Sequence, residues 1–315
     1  MAVFFEAIPR DLMGQACALL AALTWAFALV LFKLSGKQIH PFSMNLFKNA
    51  LATALLCLTL LVIGEGFGTL RDYPVEDIYI LIISGFLGLA LADTVLFYSL
   101  NLVGVSLFAI VDCSYSPIVL LVSWLLISEE LAFFHYAGGG LILFGLFIAT
   151  KHPPPPDRTR GQITVGILLG ILSIALMAVG IVIAKPVLDV GGFPLFWATT
   201  IRLVAGTVAL AAVTMASPQR RQLWSVFRPT AVWRYIVPAS IFAGYLSMVF
   251  WVGGFKYTQA TIAAILNQTS VIFAILLAVL ILKEKLTPRK TIAVGLAVMG
   301  VVLVTLSESV ERWLM

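Results

Sequence analysis

With 315 residues, 61% of them hydrophobic and only 11% charged, the chain has too little polar surface to coat a water-soluble globule; soluble domains carry about 25% charged residues. The bilayer is its expected solvent, and a formal net charge of +5 is then an orientation signal rather than a footprint of nucleic acid binding. Cys17, Cys57 and Cys113 stand far apart inside apolar runs with no metal or redox spacing, so they are expected to be small buried side chains, and no metal or cofactor is expected.

In chain order, the opening "MAVFFEAIPRDLMGQ" lacks a basic segment followed by an apolar core and a small-residue cleavage site, so no cleavable signal peptide is expected. A spanning helix needs about 20 mostly apolar residues. Ten such runs follow, at 13–34, 41–63, 78–100, 104–127, 133–150, 162–185, 194–215, 232–254, 258–282 and 290–307. Backbone in lipid must satisfy its own hydrogen bonds, and runs this long without strand alternation do so as helices. The predicted fold class is an all-α membrane protein with ten transmembrane helices. Very short turns, "NLVG" and "FKYTQ", join spans three to four and eight to nine as tight antiparallel hairpins.

Polarity gathers in three loops: the acidic 64–77, "KHPPPPDRTRG" at 151–161, and "SPQRRQLWSVFRPTA" at 216–231. None is long enough to hold a catalytic domain outside the bilayer. The four prolines favour extended polyproline II and cannot continue a helix. They divide the chain into 1–152, a first five-helix repeat, the linker 153–161, and 162–315, a second five-helix repeat.

A shift of 155 residues lays "SEELAFFHYAGGGLILFG" (Ser128–Gly145) on "KEKLTPRKTIAVGLAVMG" (Lys283–Gly300). Glu129 then meets Glu284, Gly140 meets Gly295 and Gly145 meets Gly300. Upstream, "SLFAIVD" (Ser106–Asp112) lies on "TIAAILN" (Thr261–Asn267). At the front of each half Lys33 and Lys185 close a span, Pro41 and Pro194 open the next, and Lys48 and Arg202 follow within it. Five spans per half is an odd number, so the second half enters the membrane from the opposite side and the repeats are inverted, a recurring transporter architecture.

The opening "GQACALLAALTWAFALVLFK", followed by two copies of a hairpin carrying E-x-L and then G-x-x-x-x-G, resembles the ten-helix EamA-type family of the drug/metabolite transporter superfamily, over essentially the whole chain. The resemblance implies a multi-pass protein of a bacterial inner (plasma) membrane, with a central cavity between most of the spans. Spans five and ten would be peripheral supports, which makes the Glu129 and Glu284 hairpins scaffold rather than site. The chain departs from the family pattern where Pro117 has Ile272 as its counterpart, and in its loop charges.

Those charges point one way. The N-terminus, loops 2–3, 4–5, 6–7 and 8–9 and the C-terminus hold Arg10, Arg71 and Arg312. The opposite loops hold Lys37, Lys151, Arg158, Arg160, Arg220, Arg221, Arg228, Arg234, Lys283, Lys285, Arg289 and Lys290. Basic residues accumulate on cytoplasmic loops, so both termini are expected outside, opposite to the orientation that the resemblance implies.

Ionisable groups inside spans are costly and are the first candidates for a transport path. Asp93 and Asp112 have short side chains that cannot reach the headgroups, and for each a role in the transport path is favoured over a purely structural pairing with a Lys or Arg. Lys48 and Arg202 lie about two turns, or about 10–12 Å, inside their spans. Lys33, Lys185 and Lys256 sit at span ends; all three are most simply read as snorkelling to the surface, while Lys33 and Lys185 stay among the path candidates. Asn267, at the repeat position of Asp112, and Gln268 could bond substrate or a neighbouring helix. Trp25, Tyr98, Tyr115, Tyr245 and Trp251 could line a cavity for organic molecules or anchor helices at the interface. Basic groups at these deep positions and span tips outnumber acidic ones, which tilts the expected substrate toward anions and zwitterions.

The expected function is secondary transport of a small organic, amino-acid-like metabolite by alternating access, with protons as a candidate coupling ion, since a buried Asp can hold a proton at neutral pH. No nucleotide-binding loop is present: "SGKQ" lacks the upstream glycine spacing. The partners expected are a small-molecule substrate and the lipid bilayer, with no nucleic acid. Alternatives are an exporter of lipophilic drugs or cations, and a polytopic enzyme acting on lipid-linked substrates. The enzyme would need clustered His, Cys or carboxylates, whereas His40, His135 and His152 are isolated and "DCSYS" has no nearby base.

Overall fold

The computed structural model describes residues 10–36, 39–112, 114–128, 159–189 and 192–283, with scattered helical positions in 137–148 and 288–303. Every regular element among them is helical. In chain order these are α1 (Arg10–Gly36), α2 (Pro41–Ile63), α3 (Val75–Val103), α4 (Val105–Asp112), α5 (Tyr115–Ile127), α6 (Arg160–Asp189), α7 (Leu195–Ala216), α8 (Trp233–Tyr257), α9 (Ala260–Asn267) and α10 (Ser270–Leu282). Among the described residues, α1, α2, α3, α6, α7 and α8 are long and apolar enough to cross a membrane. Expected span five lies largely, and span ten in part, outside the described residues, and Glu129, Glu284, Cys113, His135, His152 and the prolines of the linker lie outside them as well.

The surface is inverted relative to a soluble protein. Leu61, Val62, Leu168 and Leu280 are exposed, while Asn45, Lys48, Asn49, Asp93 and Arg202 are buried. That distribution suits hydrocarbon, where polar groups must find partners inside the protein. Helix ends follow local chemistry. Pro41 opens α2 where its missing N–H costs nothing, and the His40 ring accepts from the Phe42 amide at 3.3 Å. Gly64 closes α2 at φ 77°, a left-handed position that glycine takes without strain.

Two expected continuous spans are interrupted instead. Residues 104–127 form α4 and α5, broken between Asp112 and Tyr115, and 258–282 form α9 and α10, broken between Asn267 and Ser270. Pro117 fits the first break, since its ring costs least in a first helical turn, here the first turn of α5. The second has Ile272 in that place; the Thr269 hydroxyl instead donates to the Leu266 carbonyl at 2.7 Å.

Helices α3 and α8 each widen into a π-helical segment, Phe86–Ala92 and Ile241–Ser247, again 155 residues apart. Widening loosens the regular carbonyl pairing. In α3 the released groups are taken up from α2, where the Asn45 amide donates to Leu89 O at 2.8 Å and the Asn49 amide to the same oxygen at 3.2 Å. Left-handed Ser128 and Lys283, with φ 55° and 53°, terminate α5 and α10 at the same offset.

Across the middle, α3 meets α7 at Gly85, where a Cβ would lie 2.2 Å from the Arg202 carbonyl oxygen. Only a residue without a side chain allows that approach. Hydrogen bonds tie α3 to α6 as well, from Ser99 to Gly166 O at 2.7 Å and from Ser173 to Ala92 O at 2.8 Å. The result is a ring of long helices around a central space, with both helix breaks turned toward it.

Candidate substrate cavity

A cavity lies among α1, α2, α3, α6, α7 and α8 and the two helix breaks. It is lined by Trp25, Lys48, Asp93, Asp112, Tyr115, Arg202, Trp251, Asn267 and Gln268, with Ala21, Ala22, Gly88, Leu89, Met177, Ala243, Ser247, Met248 and Ser270 between them. The first nine are all residues that the sequence singles out. Tyr98, Tyr245, Lys33 and Lys185 are not part of this lining.

Those four have other partners. Tyr98 sits over His40, its hydroxyl 3.4 Å from the ring nitrogen. Tyr245 meets Thr59 at 2.8 Å. Lys33 donates to Leu100 O at 3.3 Å, near the end of α3. Lys185 donates to Asp189 at 2.6 Å and to Thr258 O at 3.1 Å, at the end of α8. Lys256, the third span-end lysine, donates to Phe193 O at 2.7 Å and Leu188 O at 3.2 Å. A cation is favoured where a helix leaves its last carbonyls unsatisfied, so these ammonium groups bond to helix ends rather than reach for headgroups.

Within the cavity the charges divide into one closed pair and one open group. Lys48 and Asp93 form a buried ion pair between α2 and α3, with the Phe97 ring 5.8 Å from the ammonium. Arg202 is fully buried on α7. The Trp251 ring lies 5.2 Å from the guanidinium carbon, and none of the three guanidinium nitrogens has a hydrogen-bond partner. A guanidinium stacked on an indole keeps its donor edge in plane for a planar acceptor such as a carboxylate.

The breaks supply the rest. Asp112 ends α4 with its carbonyl accepting from Gln268 Nε2 at 3.1 Å, which staples the two breaks together. Gln268 Oε1 and Asn267 Nδ2 are buried without partners. Buried polar groups left unpaired cost about 1–3 kcal/mol each, and several of them converging on one space is the arrangement of a ligand site. Among the described residues no group of three or more His, Cys, Asp or Glu could hold a metal ion.

Sequence reasoning missed the pairing of Lys48 with Asp93 and the small residues Ala21, Ala22, Gly88 and Ala243, which give the cavity its room. It also passed over Met248, although the 155-residue offset that maps Asp112 onto Asn267 maps Asp93 onto Met248.

The model of the EamA-like transporter family matches residues 12–151 and 164–306. An uncharacterized transporter of Bacillus subtilis (strain 168), YoaV, is 27% identical over 139 residues, covering 44% of this chain and 47% of that protein. The matched region thus spans about half the length of that curated relative. A solved protein crystal structure is similar with a TM-score of 0.71 and 19% identity, over 95% of this chain and 98% of its own.

Proposed function

The chain belongs to the EamA-like transporter family, and from that membership we propose that it is a secondary transporter carrying a small anionic or zwitterionic organic metabolite, amino-acid-like in size and charge, by alternating access around the central cavity. The observation that carries the reading is Arg202, a buried guanidinium on the cavity wall with no protein hydrogen-bond partner. A buried guanidinium without a hydrogen-bond acceptor is costly in a low-dielectric site, and a substrate carboxylate offsets that cost on binding. Lipophilic cations would meet the same group as a repulsive charge.

Ten spans in two inverted five-helix repeats, 1–152 and 162–315, are part of the proposal. Its supports are the paired π segments, the paired breaks, the paired left-handed helix ends and the two family matches, 12–151 and 164–306. Alternating access then exchanges the conformations of the two halves. Protons are the coupling ion, with Asp112 at the break as their carrier. The protein sits in a bacterial inner membrane with both termini outside.

Uptake by proteoliposomes of the purified chain, scored by mass spectrometry of trapped metabolites, tests the function. Arg202→Gln is expected to lower uptake of carboxylate solutes by about tenfold or more, since losing one partner of a buried charge contact costs 2–5 kcal/mol. Asp112→Asn is expected to abolish the response to an imposed proton gradient. Conversion of a solute in detergent, with no barrier present, would contradict the carrier reading.

A further inference from the structure

The two halves carry a matched pair of buried cations but an unmatched pair of counter-ions. Lys48 on α2 and Arg202 on α7 follow the prolines that open or precede those helices, Pro41 and Pro194. Each presses its backbone carbonyl against a glycine in the other half, Lys48 against Gly244 and Arg202 against Gly85. The first residue after each π segment is Asp93 in α3 and Met248 in α8. Asp93 closes an ion pair with Lys48. Met248 lines the same cavity as Arg202 but offers only a thioether, a poor acceptor.

Resting on the carrier and inverted-repeat reading above, we propose that the substrate's carboxylate binds between Arg202 and Met248, supplying to Arg202 the hydrogen-bond acceptor that Asp93 supplies to Lys48. The fork of the guanidinium accepts a planar carboxylate through two parallel hydrogen bonds. Trp251 covers one face of that fork at 5.2 Å and leaves its edge to the ligand. Met248 is thereby the residue that determines specificity. A carboxylate in its place would satisfy Arg202 from within the protein and close the subsite, as Asp93 does for Lys48. The neutral, flexible thioether keeps the cation open to solute and tolerates varied carbon skeletons beside it.

Met248→Asp tests this in the full-length protein, with Met248→Leu as the neutral control and both Met248 variants examined with and without Arg202→Gln. Thermal unfolding in detergent needs no ligand. Met248→Asp is expected to keep or raise Tm when Arg202 is present and to lower it by several degrees in the Arg202→Gln background, where the new carboxylate is buried unpaired. Equal destabilisation in both backgrounds overturns the geometry. Binding is read by mass spectrometry of solutes retained from an equimolar panel of amino acids, hydroxy acids and the corresponding decarboxylated amines. Wild type and Met248→Leu should retain carboxylate members, and Met248→Asp should lose them by about tenfold or more. Undiminished retention by Met248→Asp, or no carboxylate retained by wild type, overturns the subsite. Retention without uptake into proteoliposomes would instead sink the carrier reading and leave the subsite standing, whereas uptake confined to solutes without a carboxylate would do the reverse.

Discussion

Lys48 and Asp93 are the pair on which the residue scale turns. Both are nearly inaccessible, so either one alone would be a bare charge in a low-dielectric interior. Breaking such a pair costs about 3–5 kcal/mol, whereas replacing both partners by apolar residues of similar volume is often neutral. Asp93→Asn is therefore expected to destabilise the protein by about 3–5 kcal/mol, and the double change Lys48→Met with Asp93→Leu by much less, as measured by denaturant unfolding in detergent. The depth of Lys48 and Arg202 is legible in the sequence, because counting residues from a helix start gives distance along the membrane normal. Which acid meets which base is not, since α2 and α3 come together only through packing. The same limit explains Lys33, Lys185 and Lys256: their place at span ends can be counted, but the carbonyls they bond belong to other helices.

Helix α3 shows what happens at the scale of elements. Its apolar run reads as one uninterrupted span, yet seven residues of it are π-helical and must borrow donors from Asn45 and Asn49 of α2. Asn45→Leu removes the closer of the two amide donors to the Leu89 carbonyl and leaves Asn49 at 3.2 Å; a loss of about 0.5–1.5 kcal/mol is expected, readable as a lower unfolding midpoint. Gly85 is the stricter case. A methyl there would sit 2.2 Å from the backbone oxygen of Arg202, and backbone cannot swing aside as a side chain can. Gly85→Ala is expected to drive α3 from α7 and to cut the yield of monodisperse protein on size exclusion, while Gly66→Ala, with nothing within 4 Å of its Cβ, leaves it unchanged. The six long spans were readable from hydropathy to within a few residues, and the break before Pro117 had a signal in that proline. The matching break at Gln268 and Thr269 had none, because polar residues in a span signal helix contacts as readily as interruptions.

For the whole molecule the open issue with a direct test is orientation. Twelve basic residues in one set of loops against three in the other predict both termini outside, by the bias of Lys and Arg toward the cytoplasm. A C-terminal fusion is expected to show activity of an enzyme that works only in the periplasm and no cytoplasmic fluorescence; the reverse pattern overturns the assignment. Arg220, Arg221 and Arg228 are exposed and would then face the cytoplasm.

Legible from the sequence alone were a multi-pass helical membrane protein, the positions of its long spans, the 155-residue offset between its halves, and half of the residues that line the cavity, its four charged ones among them. Composition, run length and internal periodicity are local properties, and the scarcity of charges in lipid makes each one conspicuous. Only the tertiary structure decided that Asp93 is taken by Lys48, that Arg202 has no hydrogen-bonding partner beside Trp251, and that two spans break where they face the cavity. Those outcomes depend on which helices lie side by side and at what rotation, and a one-dimensional pattern sets the face of a helix but not the neighbour it meets.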